Sequence, residues 1–361
     1  MRRQRLDQIS WDDFQKLPLL KKGPFFQQGD GRPYHVLIAQ QFERDRLEQL
    51  CQLATRIRRI AKSKQGMEFL ASLLSHKRAM LDFSQPSSRT FLSFYAACQI
   101  LGLKAAEVRD PATSSEMKGE SREDSVRTFS SYFDMIIMRH PEGGFAERIA
   151  WLLGNTTRPV PVVNAGSGKD QHPTQALLDI YTLQRSFEQR GGIDGKTIAF
   201  VGDLQRGRTV RSLALLLSLY RSMKLVFVAP PELQIGADIL EALRVAGVQF
   251  ALTADFAQVM PGADAIYMTR IQDEWDKTGE TKKLDTTPFS LRAEHLAWLK
   301  SDCAILHPLP RRAEIAPEID SDPRAMYWRQ VRNGMWIRAA LLLAIFERDA
   351  EADRYYQDLT S

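Results

Sequence analysis

The sequence predicts an α/β fold of two domains, each a mainly parallel sheet flanked by helices. Short apolar runs alternate with amphipathic stretches from about residue 79, a pattern typical of parallel strands with helices on their faces. A long helical stretch then ends at Arg190-Gly191-Gly192, and the alternation restarts near residue 193, which indicates a second α/β unit. With 361 residues, 44% of them hydrophobic, the chain can bury two cores.

The first half of the chain is predicted to hold four strands and the helices between them. Apolar runs place the strands at residues 79–83, 105–108, 133–138 and 160–164. Amphipathic spacing places helices at residues 42–62, 89–101, 121–132, 145–153 and 173–188. Nearer the start, Ser10 followed by Trp11, Asp12 and Asp13 predicts a short capped helix.

The second half repeats the pattern, and the repetition sets the expected domain boundaries. Strands are predicted at residues 197–201, 225–228, 265–268 and 304–306, and helices at residues 208–222, 235–246, 254–260 and 335–348. We therefore expect an N-terminal extension, one domain completed by a C-terminal helix, and a second domain. Their bounds are residues 1–34, residues 35–185 with 335–361, and residues 186–334.

Composition narrows the classes of function. The 49 basic and 44 acidic residues give a net charge of +5 without a long basic run, so no nucleic-acid partner is expected. The most basic helical piece, residues 56–59, is interpreted as a solvated helix face. No apolar stretch is long enough for a membrane span, and no secretory signal is expected. Cys51, Cys98 and Cys303 lack a CxxC pattern, which predicts buried free thiols and a cytoplasmic location.

A phosphate cradle is predicted where the strand at residues 79–83 gives way to a helix. Ser87, Ser88, Arg89 and Thr90 would place hydroxyls and a guanidinium beside the free N–H groups of the first helical turn. The alternative interpretation is a serine N-cap with an exposed arginine.

Two further donors follow later strands of the first half. Arg139 lies just beyond the strand at residues 133–138, where ligands bind in open α/β sheets, although a lone arginine there is more often structural. His172 and Gln175 bracket a helix start after a glycine-rich loop, and Pro173 suits the first turn. Both side chains can donate to a carbonyl oxygen, or they can serve the fold alone.

The second half offers cations and a stiff turn at its strand ends. Arg208 at a helix entry and Arg270 after a buried strand suit ligand carboxylates, because a guanidinium binds them through two parallel donors. The prolines of His307-Pro308-Leu309-Pro310 fix a backbone that either presents carbonyls to a ligand or is only a rigid turn. Metal-ligand spacings, a Walker loop and a G-x-S-x-G elbow are missing from the sequence.

Taken together, these motifs resemble the aspartate carbamoyltransferase catalytic chain of the aspartate/ornithine carbamoyltransferase family, in order and spacing, from about residue 35 to residue 348. The resemblance is carried by four segments: Ser87-Ser88-Arg89-Thr90, the run from His172 to Asp179, Met268-Thr269-Arg270-Ile271-Gln272, and His307-Pro308-Leu309-Pro310-Arg311. The chain departs from the family pattern at Gln85, Ser88, Phe91 and Met117.

The resemblance implies a role for each site residue. Carbamoyl phosphate would be bound by Ser87, Ser88, Arg89, Thr90, Ser114, Lys118, Arg139, His172 and Gln175 and by the carbonyls of Pro308 and Leu309. L-Aspartate would be bound by Lys118, Arg208, Arg270, Gln272 and the Leu309 carbonyl. Catalysis would fall to Arg89, Thr90, Lys118, Arg139 and His172, among which Thr90, Arg139 and His172 would stabilise an oxyanion.

The resemblance also implies an activity and partners. The carbamoyl group of carbamoyl phosphate would pass to L-aspartate, giving N-carbamoyl-L-aspartate and phosphate in de novo pyrimidine biosynthesis, with no cofactor and no metal. Ser114 and Lys118 lie in a segment similar to the family's mobile loop, which would enter a neighbouring subunit's active site and so require a homotrimer. Whether a regulatory chain binds stays open.

Two other functions remain open from the sequence. One is a carbamoyltransferase with another amine acceptor, such as ornithine, against which Arg270 and Gln272 argue. The other is a non-catalytic family member that acts as an assembly subunit, against which the retained charged residues argue.

Overall fold

The computed structural model of the protein describes residues 4–109, 119–168, 171–271 and 285–360. Contacts divide the chain into two compact units. The first unit comprises Met1–Leu177 with Gly334–Ser361, and the second comprises Leu178–Asn333.

The first unit is built on a four-stranded parallel sheet. Its strands are β1 (Arg78–Phe83), β2 (Lys104–Val108), β3 (Met135–His140) and β4 (Val162–Ser167), in the spatial order β2-β1-β3-β4. Each neighbouring pair is parallel, so the carboxyl ends of the strands lie along one edge. The strands β1 and β4 are almost wholly buried, as expected for a sheet with both faces covered.

Amphipathic helices cover this sheet. In the third of them, Leu50, Ala54 and Ile57 recur every three or four residues and are buried, which gives the helix one apolar face. The helices are α1 (Trp11–Lys16), α2 (Leu19–Lys22), α3 (Arg44–Ile60), α4 (Lys64–Leu73), α5 (Ser88–Ile100), α6 (Arg122–Tyr132) and α7 (Phe145–Gly154).

The second unit is built on a five-stranded parallel sheet with the order β7-β6-β5-β8-β9. The strands are β5 (Thr197–Val201), β6 (Lys224–Val228), β7 (Gln249–Thr253), β8 (Ala265–Met268) and β9 (Ala304–Leu306). The remaining helices are α8 (Pro173–Ser186), α9 (Arg208–Leu217), α10 (Ala237–Val245), α11 (Phe256–Val259), α12 (Tyr327–Ile345) and α13 (Asp349–Thr360). The division between the units falls within α8 and within α12, and α13 belongs to the first unit.

These two sheets confirm the predicted fold class, with local corrections. The edge strand β7 was not predicted; three of its five residues are exposed, as they are in the other edge strand β2, which was predicted. Helix α12 begins at Tyr327, eight residues before the predicted start, since the sequence there is polar and contains Gly334. Strands β3 and β4 each begin two residues later than predicted, and helices α4 and α13 were not predicted.

The predicted helix near the start of the chain is confirmed, and the segment around it is part of the first unit's core. Ser10 stands at the N-cap of α1 and accepts from the amide of Asp13. Leu6, Phe14 and Phe26 are buried in the same cluster as residues of α7. Sequence patterns did not reveal this packing, because its partner lies more than a hundred residues away.

Two further sequence predictions can be compared with the structure. Cys51, Cys98 and Cys303 are all free and buried, as predicted. Over the described residues, every helix is too short or too polar to cross a bilayer.

Candidate active site

The loop between β1 and α5 is fixed to the end of β3. The Ser84 hydroxyl and the Gln85 amide both donate to the carbonyl oxygen of Arg139, at 3.2 and 3.1 Å. In the sheet, Phe83 is the register partner of Arg139. The predicted phosphate motif and Arg139 are therefore brought to one edge of the first sheet.

The residues of the phosphate motif occupy the N-terminus of α5. Within the described chain, Ser87 is at the N-cap position but its hydroxyl makes no capping hydrogen bond. Ser88 and Arg89 are exposed and Thr90 is buried. The N-cap alternative therefore agrees with the position of Ser87 and the exposed Arg89, but not with a capping bond from the Ser87 hydroxyl. An anion at this helix end would meet hydroxyls and backbone N–H groups together.

Arg139 has a structural bond as well as a position at the site. Its Nη1 donates to the carbonyl oxygen of Ala165 in β4, at 3.1 Å, and the side chain is half-buried. This bond fixes the guanidinium near the ends of β3 and β4. The prediction that this arginine is structural is thus correct in part. The same bond also orients its guanidinium.

His172 and Gln175 lie at the start of α8, beside the end of β4. Pro173 is the first helical residue, as predicted, and the side chains of His172, Thr174 and Gln175 are buried. The Ser167 amide donates to the carbonyl oxygen of Gln171 at 3.1 Å, which brings this helix start to the carboxyl end of β4.

A buried arginine that the sequence patterns did not single out joins α5 to the start of α8. Arg338 in α12 is 2% exposed; its Nη1 donates to Ser93 Oγ in α5 at 2.8 Å and its Nη2 to Thr174 Oγ1 in α8 at 3.3 Å. Its guanidinium also lies 4.9 Å from the ring centre of Phe94. Arg338 thereby holds α5 and α8 in one relative position within the first unit.

In the second unit, the exits of β5 and β8 pack closely together. Gly202 follows β5 with a φ of 114°, and a Cβ there would lie 2.2 Å from the carbonyl oxygen of Thr269. Thr269 Oγ1 donates to the Val201 carbonyl at 3.0 Å. Only glycine fits this contact, which fixes the two loops that lead to Arg208 and Arg270.

Arg208 and Arg270 are both half-buried at this carboxyl edge. Arg208 is the first residue of α9, and Arg270 donates from Nη1 to the carbonyl oxygen of its neighbour Ile271 at 3.1 Å. A cavity of about 200 Å³ lies at the same edge and is lined in part by Gly202, Thr269 and Ile271.

The turn after β9 is stiffened by its own histidine. The Leu309 amide donates to His307 Nδ1 at 2.7 Å, and His307 Nε2 lies 2.7 Å from Glu314 Oε1. Pro308 and Leu309 are half-buried. The turn is therefore rigid, as one of the two interpretations predicts. A rigid turn can still present the carbonyls of Pro308 and Leu309 to a ligand.

The predicted site residues thus form two groups in the described chain. The first unit carries Ser87, Ser88, Arg89, Thr90, Arg139, His172 and Gln175, and the second carries Arg208, Arg270, Pro308 and Leu309. Ser114, Lys118 and Gln272 lie outside the described residues. Among the residues that are described, no cluster of three His, Cys, Asp or Glu side chains could hold a metal ion.

Family models match both halves of the chain. Residues 34–185 match the model described as aspartate/ornithine carbamoyltransferase, carbamoyl-P binding domain. Residues 194–345 match the model described as aspartate/ornithine carbamoyltransferase, Asp/Orn binding domain.

Individual relatives agree with these models. The chain is 40% identical over 331 residues to aspartate carbamoyltransferase 1, chloroplastic, of Pisum sativum, covering 90% of this chain and 80% of that one. It is 39% identical over 308 residues to the aspartate carbamoyltransferase catalytic subunit of Chromobacterium violaceum, covering 85% and 96%. The crystal structure of aspartate transcarbamoylase from Trypanosoma cruzi in complex with aspartate and phosphate superposes with a TM-score of 0.77 and 35% identity, covering 88% of this chain and 97% of that one.

Proposed function

The chain belongs to the aspartate/ornithine carbamoyltransferase family, and we propose that it transfers the carbamoyl group of carbamoyl phosphate to L-aspartate in de novo pyrimidine biosynthesis. The observation that carries the proposal is the group of donors at the carboxyl edge of the first sheet. There the α5 N-terminus, Arg139 and the start of α8 combine hydroxyls, backbone N–H groups and a guanidinium. Such a set suits a phosphoryl group with an adjoining carbonyl.

The proposed reaction is an acyl transfer driven by positioning and electrostatics. The aspartate amine attacks the carbamoyl carbon, the carbonyl oxygen gains negative charge, and the bond to the phosphate oxygen then breaks. Phosphate leaves, and the proton lost from the amine passes to phosphate or to water. Thr90, Arg139 and His172 are assigned as the donors that stabilise the developing oxyanion, and Arg89 as a cation for the leaving phosphate.

The choice of aspartate over ornithine is assigned to two arginines of the second unit. Aspartate brings two carboxylates, and Arg208 and Arg270 supply two half-buried guanidinium groups at one sheet edge. Ornithine has one carboxylate and a distal ammonium, which such cations would repel. Removing one partner of a desolvated charge pair costs about 2–5 kcal/mol, so the effect on turnover is large.

The test measures carbamoylaspartate formation by the purified full chain, with ornithine as the control acceptor. The protein is expected to use aspartate and not ornithine, and Arg270→Ala is expected to lose roughly a hundredfold or more in kcat/KM for aspartate. Arg221→Ala, at an exposed arginine beyond the far end of α9, is the matched control and should behave as the unchanged protein. Near-normal turnover by Arg270→Ala, or turnover of ornithine, would reject the assignment.

We also propose a homotrimer whose active sites are shared between subunits. The proposal is supported by the similarity of the segment that carries Ser114 and Lys118 to the family's mobile loop. This segment lies outside the described residues. Lys118→Ala and Arg139→Ala are each expected to be inactive, and their mixture should regain activity after subunit exchange. A hybrid that stays inactive despite proven exchange, or a monomer by light scattering, would count against sharing.

A cytoplasmic location is proposed from the three buried free thiols, which are typical of proteins in reducing compartments. Fractionation of cells that express the full chain with a C-terminal tag should recover it with the cytosolic marker. The Pisum sativum relative is named chloroplastic, so recovery with an organelle marker is the contrary outcome.

A further inference from the structure

The backbone of Leu309 has a conformation that needs support. Its φ is +55°, in the left-handed region that residues with a Cβ rarely adopt. Its amide donates to His307 Nδ1 at 2.7 Å, so a ring nitrogen two residues earlier closes the turn. This is the bond pattern that an asparagine side chain makes in an Asx-turn, here made by an imidazole.

That bond fixes how the His307 ring is protonated and oriented. Since Nδ1 accepts from Leu309, the neutral ring carries its proton on Nε2 and donates it to Glu314 Oε1, 2.7 Å away. The His307 side chain is fully buried. Burial disfavours the charged form of Glu314, yet the bonds from His307 and from the Arg312 amide hold the pKa of this carboxyl below its usual value.

A second set of buried bonds holds the main chain of His307. Its amide donates to Gln330 Oε1 at 2.9 Å, and Gln330 Nε2 donates to Asp179 Oδ1 at 2.6 Å. The Tyr267 hydroxyl donates to the other oxygen of Asp179 at 2.8 Å. Asp179, Tyr267, His307 and Gln330 are at most 1% exposed, so the end of β9 is tied to β8, α8 and α12 inside the second unit.

We propose that His307 is a positioning residue, whose ring, held by Glu314, fixes the Leu309 backbone and thereby the direction of the Pro308 and Leu309 carbonyls. The inference rests on the proposed function and on the family resemblance, which implies that these carbonyls orient the aspartate amine and the carbamoyl group. Loss of the acceptor at Nδ1 frees the turn to leave the left-handed conformation and misdirects both carbonyls. Errors of about 1 Å in such positioning cost on the order of a hundredfold in rate.

Two substitutions test the roles of the two His307 ring nitrogens separately. His307→Asn keeps an acceptor at the position of Nδ1 and loses the contact to Glu314, whereas His307→Gln keeps a donor near Nε2 and loses the acceptor. We expect His307→Gln to lower kcat at saturating substrates at least tenfold, with KM for carbamoyl phosphate changed less than threefold. His307→Asn should keep kcat within about threefold of the unchanged protein.

A matched control is His295→Gln, which removes a bond of the same kind in the same unit. There the Arg292 amide donates to His295 Nδ1 at 3.2 Å, away from the site residues. Turnover by this variant should equal that of the unchanged protein. Thermal unfolding of all variants shows whether any loss of kcat comes from a smaller folded fraction.

The outcomes are distinct. Failure of the unchanged protein to carbamoylate aspartate would reject the proposed function, and equal kcat for His307→Gln and His307→Asn in an active enzyme would reject the positioning role. If His307→Gln does not fold, Glu314→Ala supplies the second reading, because the imidazole without this partner can turn Nδ1 away from the Leu309 amide. The shorter side chain of His307→Asn presents its acceptor without Glu314, so the two variants differ. A fall of threefold or more in kcat is then expected, and an unchanged kcat would overturn the inference.

Discussion

At the scale of single residues, burial decides the chemistry of the three thiols. It raises the pKa of Cys98 and of Cys303 to about 12, and raises that of Cys51 as well. The folded state therefore favours the neutral thiol. This contribution to stability is complete well below pH 8.5, where unfolded thiols are protonated, and is lost as the pH rises from about 8.5 towards 12.

We accordingly expect the free energy of unfolding to fall above pH 9, by about 1.4 kcal/mol per pH unit for each thiol. Urea unfolding between pH 7 and pH 10.5 measures the slope. Cys98→Ala lowers stability through the lost packing, but its slope above pH 9 should be shallower than that of the unchanged protein. An identical slope would show that other groups cause the decline.

Arg338 is the second residue whose effect can be predicted. Arg338→Met removes the donors to Ser93 and Thr174 in a buried place, so we expect a loss of roughly 2–4 kcal/mol in stability. Because α5 and α8 carry the proposed carbamoyl phosphate ligands, KM for this substrate should also rise. The control is Arg332→Met, at an exposed position of the same helix. Equal behaviour of the two variants would contradict this role.

At the scale of elements, the N-terminal segment closes over α7. Lys22 is buried and pairs with Glu147 in the first turn of α7, with Nζ and Oε2 2.7 Å apart, and its ammonium lies 5.0 Å from the ring centre of Phe14. The Trp151 indole donates to the Ile9 carbonyl at 2.9 Å. The segment before residue 34 is thus a structural part of the first unit.

This packing predicts different effects for two adjacent lysines. Lys22→Met leaves the Glu147 carboxylate without its buried partner and should lower stability by about 2 kcal/mol or more, whereas the exposed Lys21→Met should change it by less than about 0.5 kcal/mol. Combining Lys22→Met with Glu147→Met should recover most of the loss, since an apolar pair replaces the ion pair. Denaturant unfolding measures all three, and no difference between the single variants would contradict the pair's importance.

At the scale of the whole molecule, both described ends of the chain belong to the first unit. Helix α13 packs on α3 and α4: Arg56 pairs with Asp353 at 2.6 Å, and the rings of Phe69 and Tyr355 stack at 3.9 Å. The basic piece at residues 56–59 was predicted to be solvated, and this is wrong for Arg56, which α13 covers in part. Arg32 also reaches the first turn of α13 through Asp349, at 2.9 Å.

Deletion of residues 349–361 should therefore lower the local stability of the first unit only. We expect hydrogen–deuterium exchange to increase at the amides of α3 and α4, where α13 contacts Arg56 and Phe69, while β5 to β9 keep their protection. The comparison is made on the full chain and the shortened chain under the same conditions. Increased exchange throughout the second sheet would show that the units do not respond separately.

Much of the architecture follows from the sequence alone. Buried parallel strands need continuous apolar runs and their covering helices need a 3.6-residue period, so eight strands and the helices between them could be located. The polar motifs could be placed at strand ends because Ser87 to Thr90 and Arg270 follow an apolar run within a few residues, and His172 follows one after a glycine-rich loop. Local spacing is sufficient evidence for both features.

Other features were decided only by tertiary structure, because their partners are distant in sequence. Strand β7 pairs at an edge without a buried pattern of its own, and Gly202 is required by a carbonyl 67 residues away. Arg338 lies in a helix with no visible motif, yet it binds side chains 245 and 164 residues earlier. The role of Glu314 likewise depends on the folding of the turn that brings it to His307. A sequence displays the residue types that a site needs, but long-range contacts determine which of them are held in place.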